Sequence, residues 1–215
     1  MLNYLNKLFQ KSNQSNSHEI KGFIGYFNLS DWWEKSFTKE EVKYIHLIYQ
    51  PLGDSSDCLT IDVIEDTALS IVEFLSGLAS WFKNKKDINL AFKFLKKAEE
   101  CINETTDILD VHYFLNNKIE IYYYDRENKE SLEIAIKSCK KQINISNQSL
   151  KEFKKDKLFR DQLPSHKGYE QLAIIEEKNK NYNQAIELAK EAFRQCWYGD
   201  WEKRIERCTK KISKN

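Results

Sequence analysis

An all-α fold is predicted by three observations. Six glycines and two prolines in 215 residues leave few of the left-handed turns and rigid corners that a β-sandwich or a nucleotide-binding α/β sheet needs at its connections. Apolar residues recur mostly three and four apart over long stretches, the period of one buried helix face. Hydrophobic residues at 41% and charged residues at 31% supply both a core and a charged exterior, which excludes global disorder. The length favours one helical domain over residues 20–215, preceded by a flexible segment at 1–19.

Taken in order, Met1 to Gln10 is mildly amphipathic but lacks the apolar run of a signal peptide, and Lys11 to Ser17 is a polar stretch that reads as a linker. Gly22 to Trp33 is strongly aromatic and has no helical period. It is expected to be irregular and packed onto the helices as an N-terminal cap over 20–35. Thr38 with Glu41 forms a capping box that opens a helix running to Tyr49, stopped by Gln50-Pro51. A second helix is expected from Leu59 to Lys83 on the spacing of Val63, Ile64, Ala68, Ile71, Val72, Leu75, Leu78 and Phe82. The third and fourth span Asp87 to Asn103 and Asp107 to Asp125. From Glu130 to Asp161, the heptad-like stripe Leu132, Ile136, Cys139, Ile143, Ser146, Leu150 and Phe153 predicts one long helix, ended by Leu163-Pro164. Ser165 to Asn179, Tyr182 to Cys196 and Asp200 to Ile212 complete the chain, with 197–213 as a C-terminal capping element.

Net charge and cysteines narrow the function classes. Thirty-four basic against 33 acidic residues give +1, no overall field for a phosphate backbone or an acidic membrane. Lys far outnumbers Arg and Asn is abundant, which reads as genome composition; a bacterial protein is expected. Five cysteines are odd in number and contain no Cys-x-x-Cys pair, against a disulfide framework or a structural zinc site. With no span-length apolar run either, a cytoplasmic protein without metal or cofactor is expected.

The helices also repeat. The last hairpin reads Tyr169-x-x-Leu172-Ala173, a turn at Asn179-Lys180-Asn181, then Tyr182-x-x-Ala185-x-x-x-Ala189-x-x-Ala192. Two copies share its frame: Leu75-x-x-Leu78-Ala79-x-x-Phe82 with Ile88-x-x-Ala91-x-x-x-Leu95-x-x-Ala98, and Ile119-x-x-Tyr122-Tyr123 with Ala135-x-x-x-Cys139. Small residues at the crossing let two helices approach closely while large ones fill the groove between hairpins. The pattern over Glu73 to Gln195 resembles the tetratricopeptide repeat (TPR) family, in degenerate form. Its anchors Ala91, Ala135 and Ala185 are spaced wider than the roughly 34 residues of the regular family, and Trp197 replaces the usual closing Pro. The resemblance implies a TPR-like right-handed α-solenoid of antiparallel hairpins with about seven or eight helices.

It also implies a partner. Such arrays bind peptides or proteins in the groove lined by the first helix of each hairpin, which here would expose Glu73, Ser80, Asn117, Glu120, Tyr124, Lys167, Glu170, Gln171, Ile174 and Lys178. The Lys/Asn cluster with which one subset of the family grips a terminal carboxylate is not matched, since Ser76, Ser80 and Glu120 occupy its positions. The expected role is an adaptor or regulator without catalytic activity, able also to form a homodimer.

Catalytic signals are sparse. His112 follows Asp110 by two residues, which places them on different helix faces, and His166 reads as a capping or surface residue at a helix start. His18 and His46 lack neighbouring metal ligands. The alternative function is a nucleic-acid-associated factor using Lys151, Lys154, Lys155, Lys157 and Arg160, joined by the basic residues between Lys203 and Lys214. Interleaved Glu152, Asp156, Glu202 and Glu206 dilute that cluster, as on an ordinary salt-bridged helix.

Overall fold

A computed structural model describes residues 20–51, 57–159 and 162–214. The expectations for Met1 to Ser17, His18, Arg160 and Asp161 therefore lie outside the described residues. Among those described, the chain is all-α, and its packing divides it into two units, 1–68 and 69–215.

In the first unit, the aromatic segment expected to be irregular forms two short helices, α1 (Gly22–Tyr26) and α2 (Ser30–Ser36). Neither is long enough to display a helical period, and the left-handed Asn28 (φ 56) turns the chain between them. Gly22 also has positive φ, and a Cβ there would meet the Leu59 carbonyl carbon at 2.3 Å. That close approach lets Phe23 and Ile24 donate their N–H groups to the carbonyls of Cys58 and Leu59 at 2.9 and 3.0 Å. The predicted capping box opens α3 (Lys39–Ile48): Glu41 N–H donates to Thr38 Oγ1 at 3.1 Å, and Thr38 N–H to Glu41 Oε2 at 2.9 Å. Phe23, Ile24, Leu29, Trp33, Phe37, Ile45 and Leu59 are buried together with their neighbours in this unit.

The second unit begins with a correction. The helix expected from Leu59 exists only as α4 (Ile71–Ser80). Ser70 is a second capping box with Glu73, bonded both ways at 3.1 and 3.2 Å, and fixes the true start. Val63, counted toward the periodic face, is 69% exposed. Next come α5 (Ile88–Cys101) and α6 (Ile108–Tyr124), close to their predicted bounds. The long helix is broken into α7 (Lys129–Asn144) and α8 (Ser146–Phe153), followed by a 3₁₀ turn at Lys157–Phe159. At the break, Ile145 leaves helical geometry with ψ near 0, and its carbonyl accepts from both Gln148 N–H and Ser149 N–H at 3.0 Å, a tightened turn between the two helices. α9 (Lys167–Lys178), α10 (Tyr182–Arg194) and α11 (Trp201–Ile212) end the chain. The described residues thus hold eleven α-helices, more than the seven or eight expected, because two come from the aromatic segment and one from the split.

Each repeat pair packs together: α4 on α5, α6 on α7, α9 on α10. In addition α4 packs on α6, α6 on α9, α7 on α9, and α10 on α11. The small residues of the repeat frame, Ala79, Ala91, Ala98, Ala135, Ala173, Ala185, Ala189 and Ala192, are all fully buried. Gly168 brings the start of α9 onto α7; a Cβ there would lie 2.9 Å from the Cys139 carbonyl oxygen. Tyr169, Leu172, Phe153, Trp197 and Trp201 fill the core around them. No disulfide joins any of the five cysteines.

Candidate functional site

The first helix of each pair contributes polar side chains that bond across to the next. Between α4 and α6, Asn117 Nδ2 donates to Ser76 Oγ at 3.4 Å. Lys83, just past α4, meets Glu120 at 2.8 Å. Between α6 and α9, Glu120 takes Lys167 at 3.2 Å, and Lys178 donates to the Tyr123 hydroxyl at 2.9 Å while lying 5.5 Å from that ring's centre. Lys167 also pairs with Glu170 at 3.0 Å. From α9 the ladder reaches α11, where Glu177 accepts from Arg204 Nη1 at 2.6 Å and from Arg207 Nε and Nη2 at 3.0 and 2.7 Å.

Of the ten residues expected to line the groove, Asn117, Glu120, Lys167, Glu170 and Lys178 therefore sit in this ladder of three separate bonded groups. Ser80 joins it only through the Ser76 carbonyl, to which its hydroxyl donates at 3.3 Å. Glu73 is half-buried and engaged in the α4 cap, while Tyr124 is exposed and Ile174 half-buried. Gln171 is corrected: it is only 8% exposed, and its Nε2 has no hydrogen-bond partner among the described residues. It lies one helical turn from Lys167 and two from Lys178, on the same α9 face that those lysines turn toward α6. Sequence reasoning missed Lys83, Tyr123, Glu177, Arg204 and Arg207 as members. A helical pattern identifies which face a residue occupies; it does not identify a partner tens of residues away.

The charges in the ladder reinforce one another. Burial alone would raise the Glu120 carboxyl, but hydrogen bonds to Lys83 and Lys167 outweigh it and hold the group below the ordinary glutamate value. Burial likewise opposes the charge on Lys167, and Glu170 with Glu120 overcomes it, so that lysine titrates above the ordinary value. Glu177 is lowered against its own burial by Arg207 and Arg204. Glu120, Lys167 and Glu177 are thereby held in their charged forms, so the face offers fixed donors and acceptors.

His112 and His166, separately placed by the sequence, lie against one another. His112 and His166 are 1% and 0% exposed, with ring centroids 5.2 Å apart at 84°. Trp197 stacks on His112 at 5.6 Å, and Phe153 and Tyr169 close the cluster. His166 does cap α9, its Nδ1 accepting from Tyr169 N–H at 3.3 Å, but as a core residue rather than a surface one. Nδ1 of His112 and Nε2 of His166 have no hydrogen-bond partner among the described residues. Burial pushes their pKa values down to about 4 and about 3, the second lowered further by His112 itself. Both imidazoles are neutral at physiological pH. His46, in the first unit, bonds Thr60 Oγ1 at 3.1 Å.

Among the described residues, no three His, Cys, Asp or Glu side chains gather as a metal site, and no helix is long and apolar enough to cross a membrane. On the basic face, Lys155 is neutralised by Glu152 at 2.6 Å, whereas Lys151, Lys154 and Lys157 are exposed. Comparison with protein-family models, with curated proteins and with solved structures gives no match.

Proposed function

We propose that this chain is a TPR-like module that binds a protein or peptide on the face shared by α4, α6 and α9. The observation that carries this reading is the ladder itself: successive first helices are joined side chain to side chain, which fixes a continuous polar surface in place before any partner arrives. Preorganised donors and acceptors of this kind lower the ordering cost of association. The packing order supports a stack of hairpins, because each first helix touches both its own second helix and the next first helix. The resemblance of Glu73 to Gln195 to TPR hairpins supports the same geometry. Tyr124 and Ile174, adjoining the ladder on α6 and α9, supply the apolar contact that such a surface needs.

Photo-crosslinking tests the reading directly. A photoreactive amino acid placed at Tyr124 or Ile174 is expected to capture a discrete partner in the cells that make the protein, while the same group at exposed Lys140 on α7 captures none. Equal capture at all three positions overturns the assignment of this face.

A further inference from the structure

Beside the end of the ladder, the starts of α9 and α11 enclose a cavity of about 460 Å³ whose walls include Arg204, Tyr198 and Trp201. Arg204 is 8% exposed, yet it makes a single hydrogen bond, from Nη1 to Glu177. Its Nε–H and Nη2 donors have no acceptor among the described residues. Those two groups form the side-on fork of a guanidinium, the edge whose geometry matches the two oxygens of a carboxylate. Unlike the orphaned atoms of His112, His166 and Gln171, neither group is cut off from solvent, so an otherwise buried arginine that leaves this edge without a protein acceptor, on the wall of a cavity large enough for an amino-acid side chain, marks a place for an oxyanion.

The surrounding charges indicate how much negative charge the site accommodates. Lys167 on the cavity wall is balanced through Glu170 and through Glu120, which in turn holds Lys83. Asp200 is matched by Lys203 at 3.3 Å. Glu177 serves both Arg204 and Arg207, neither of which pairs with a second carboxylate as Lys167 does. The cluster thus carries one positive charge without a counter-charge. A single negative charge balances it, whereas a phosphate dianion would also face the carboxylates of Glu170 and Asp200, which line the same cavity. Tyr198, 60% exposed, and the buried Trp201 ring offer apolar surface for the methylenes that carry a carboxylate.

We propose that this cavity binds a carboxylate monoanion through the free Nε/Nη2 edge of Arg204. That the carboxylate belongs to a residue of the partner on the adjoining face rests on the function proposed above; the anion site itself does not.

The test is a titration of the 15N-labelled full chain, following the Arg204 Nε–H resonance. The probes are N-acetyl-glutamate α-amide for a side-chain carboxylate, N-acetyl-alanine for a chain end, and inorganic phosphate. A saturable shift with at least one carboxylate, with Kd on the order of 1 mM as befits one small anion, is expected, and the stronger of the two identifies the source. Arg204→Lys keeps the charge but removes the fork, and is expected to weaken the response of Trp201 and Tyr198 resonances about tenfold. No saturable shift from either carboxylate in the wild type, or tighter binding of phosphate than of both, overturns the proposal whatever the stability of the variant. A carboxylate response combined with indiscriminate crosslinking along the chain would remove the partner face and leave the anion site standing.

Discussion

His112 and His166 make the acid response of this protein predictable. In the unfolded chain both imidazoles titrate near 6.5, whereas in the folded state burial holds them at about 4 and about 3. Below pH 6.5 the unfolded state therefore binds protons that the folded state refuses, and stability falls until the folded values are reached. The loss amounts to about 2 kcal/mol for each imidazole between roughly pH 6.5 and 4.5. His112→Phe, which places another ring between Phe153 and Trp197, is expected to make the urea midpoint fall less between pH 7 and pH 5 than in the wild type. Equal pH slopes for the two proteins would show that the pair does not titrate as described. Gln142 offers a second residue-scale test. Fully buried, it donates to the His112 carbonyl at 2.9 Å and accepts from Gly168 N–H at 2.6 Å. Gln142→Leu strands the Gly168 N–H, which sits in the first turn of α9 without an intrahelical acceptor, while the His112 carbonyl keeps its place in the α6 ladder; the expected cost in urea unfolding is about 1–3 kcal/mol, that of one unpaired buried group. A cost below 1 kcal/mol, on the order of an ordinary surface change, would contradict the bridge. Neither His112–His166 nor Gln142–Gly168 is legible in the sequence, because each joins residues brought together only by the packing of α6, α7 and α9.

At the scale of elements, legibility followed local chemistry. α5, α6, α10 and α11 matched their expected spans because each carries an apolar stripe bounded by polar turns, and Thr38 announced α3 through its capping box. Where two local signals competed, the apolar pattern misled. The spacing of Val63 and Ile64 suggested a continuous helix through residues 59–83, while Ser70 and Glu73, three residues apart, carried the actual start. Ser70→Ala is accordingly expected to destabilise the second unit by about 1 kcal/mol, the usual value of an N-cap, measured as a lowered thermal midpoint; an unchanged midpoint would mean that α4 does not depend on its cap. The heptad-like stripe likewise ran straight through Ile145, because Ser146 lies at an apolar-face position and is indeed buried. The break itself is a single backbone departure at Ile145, with ψ near 0, which periodicity does not register.

For the whole molecule, the sequence-level balance of 34 basic against 33 acidic residues takes a spatial form. On the face of α4, α6 and α9, cations and carboxylates are spent on one another: Lys83 with Glu120, Glu120 with Lys167, Lys167 with Glu170. The faces were legible from the repeat frame. The ladder was not, since its bonds span 37 residues from Lys83 to Glu120 and 55 from Tyr123 to Lys178. A surface that recognises its partner through fixed hydrogen bonds and apolar contact should lose less than about tenfold in affinity between roughly 50 and 200 mM salt, whereas six to ten phosphate contacts would lose about 10³–10⁵. A drop of the larger kind would favour the lysines of Lys151 to Lys157 and a nucleic-acid partner. The central claim, that the α4, α6 and α9 face binds the partner, is tested most directly by quantitative affinity purification of the wild type beside a Lys178→Glu, Ile174→Asp double variant with unchanged thermal stability. The account predicts that the principal partner recovered with the wild type is lost from the variant. Recovery of the same partner in the same amount would contradict it.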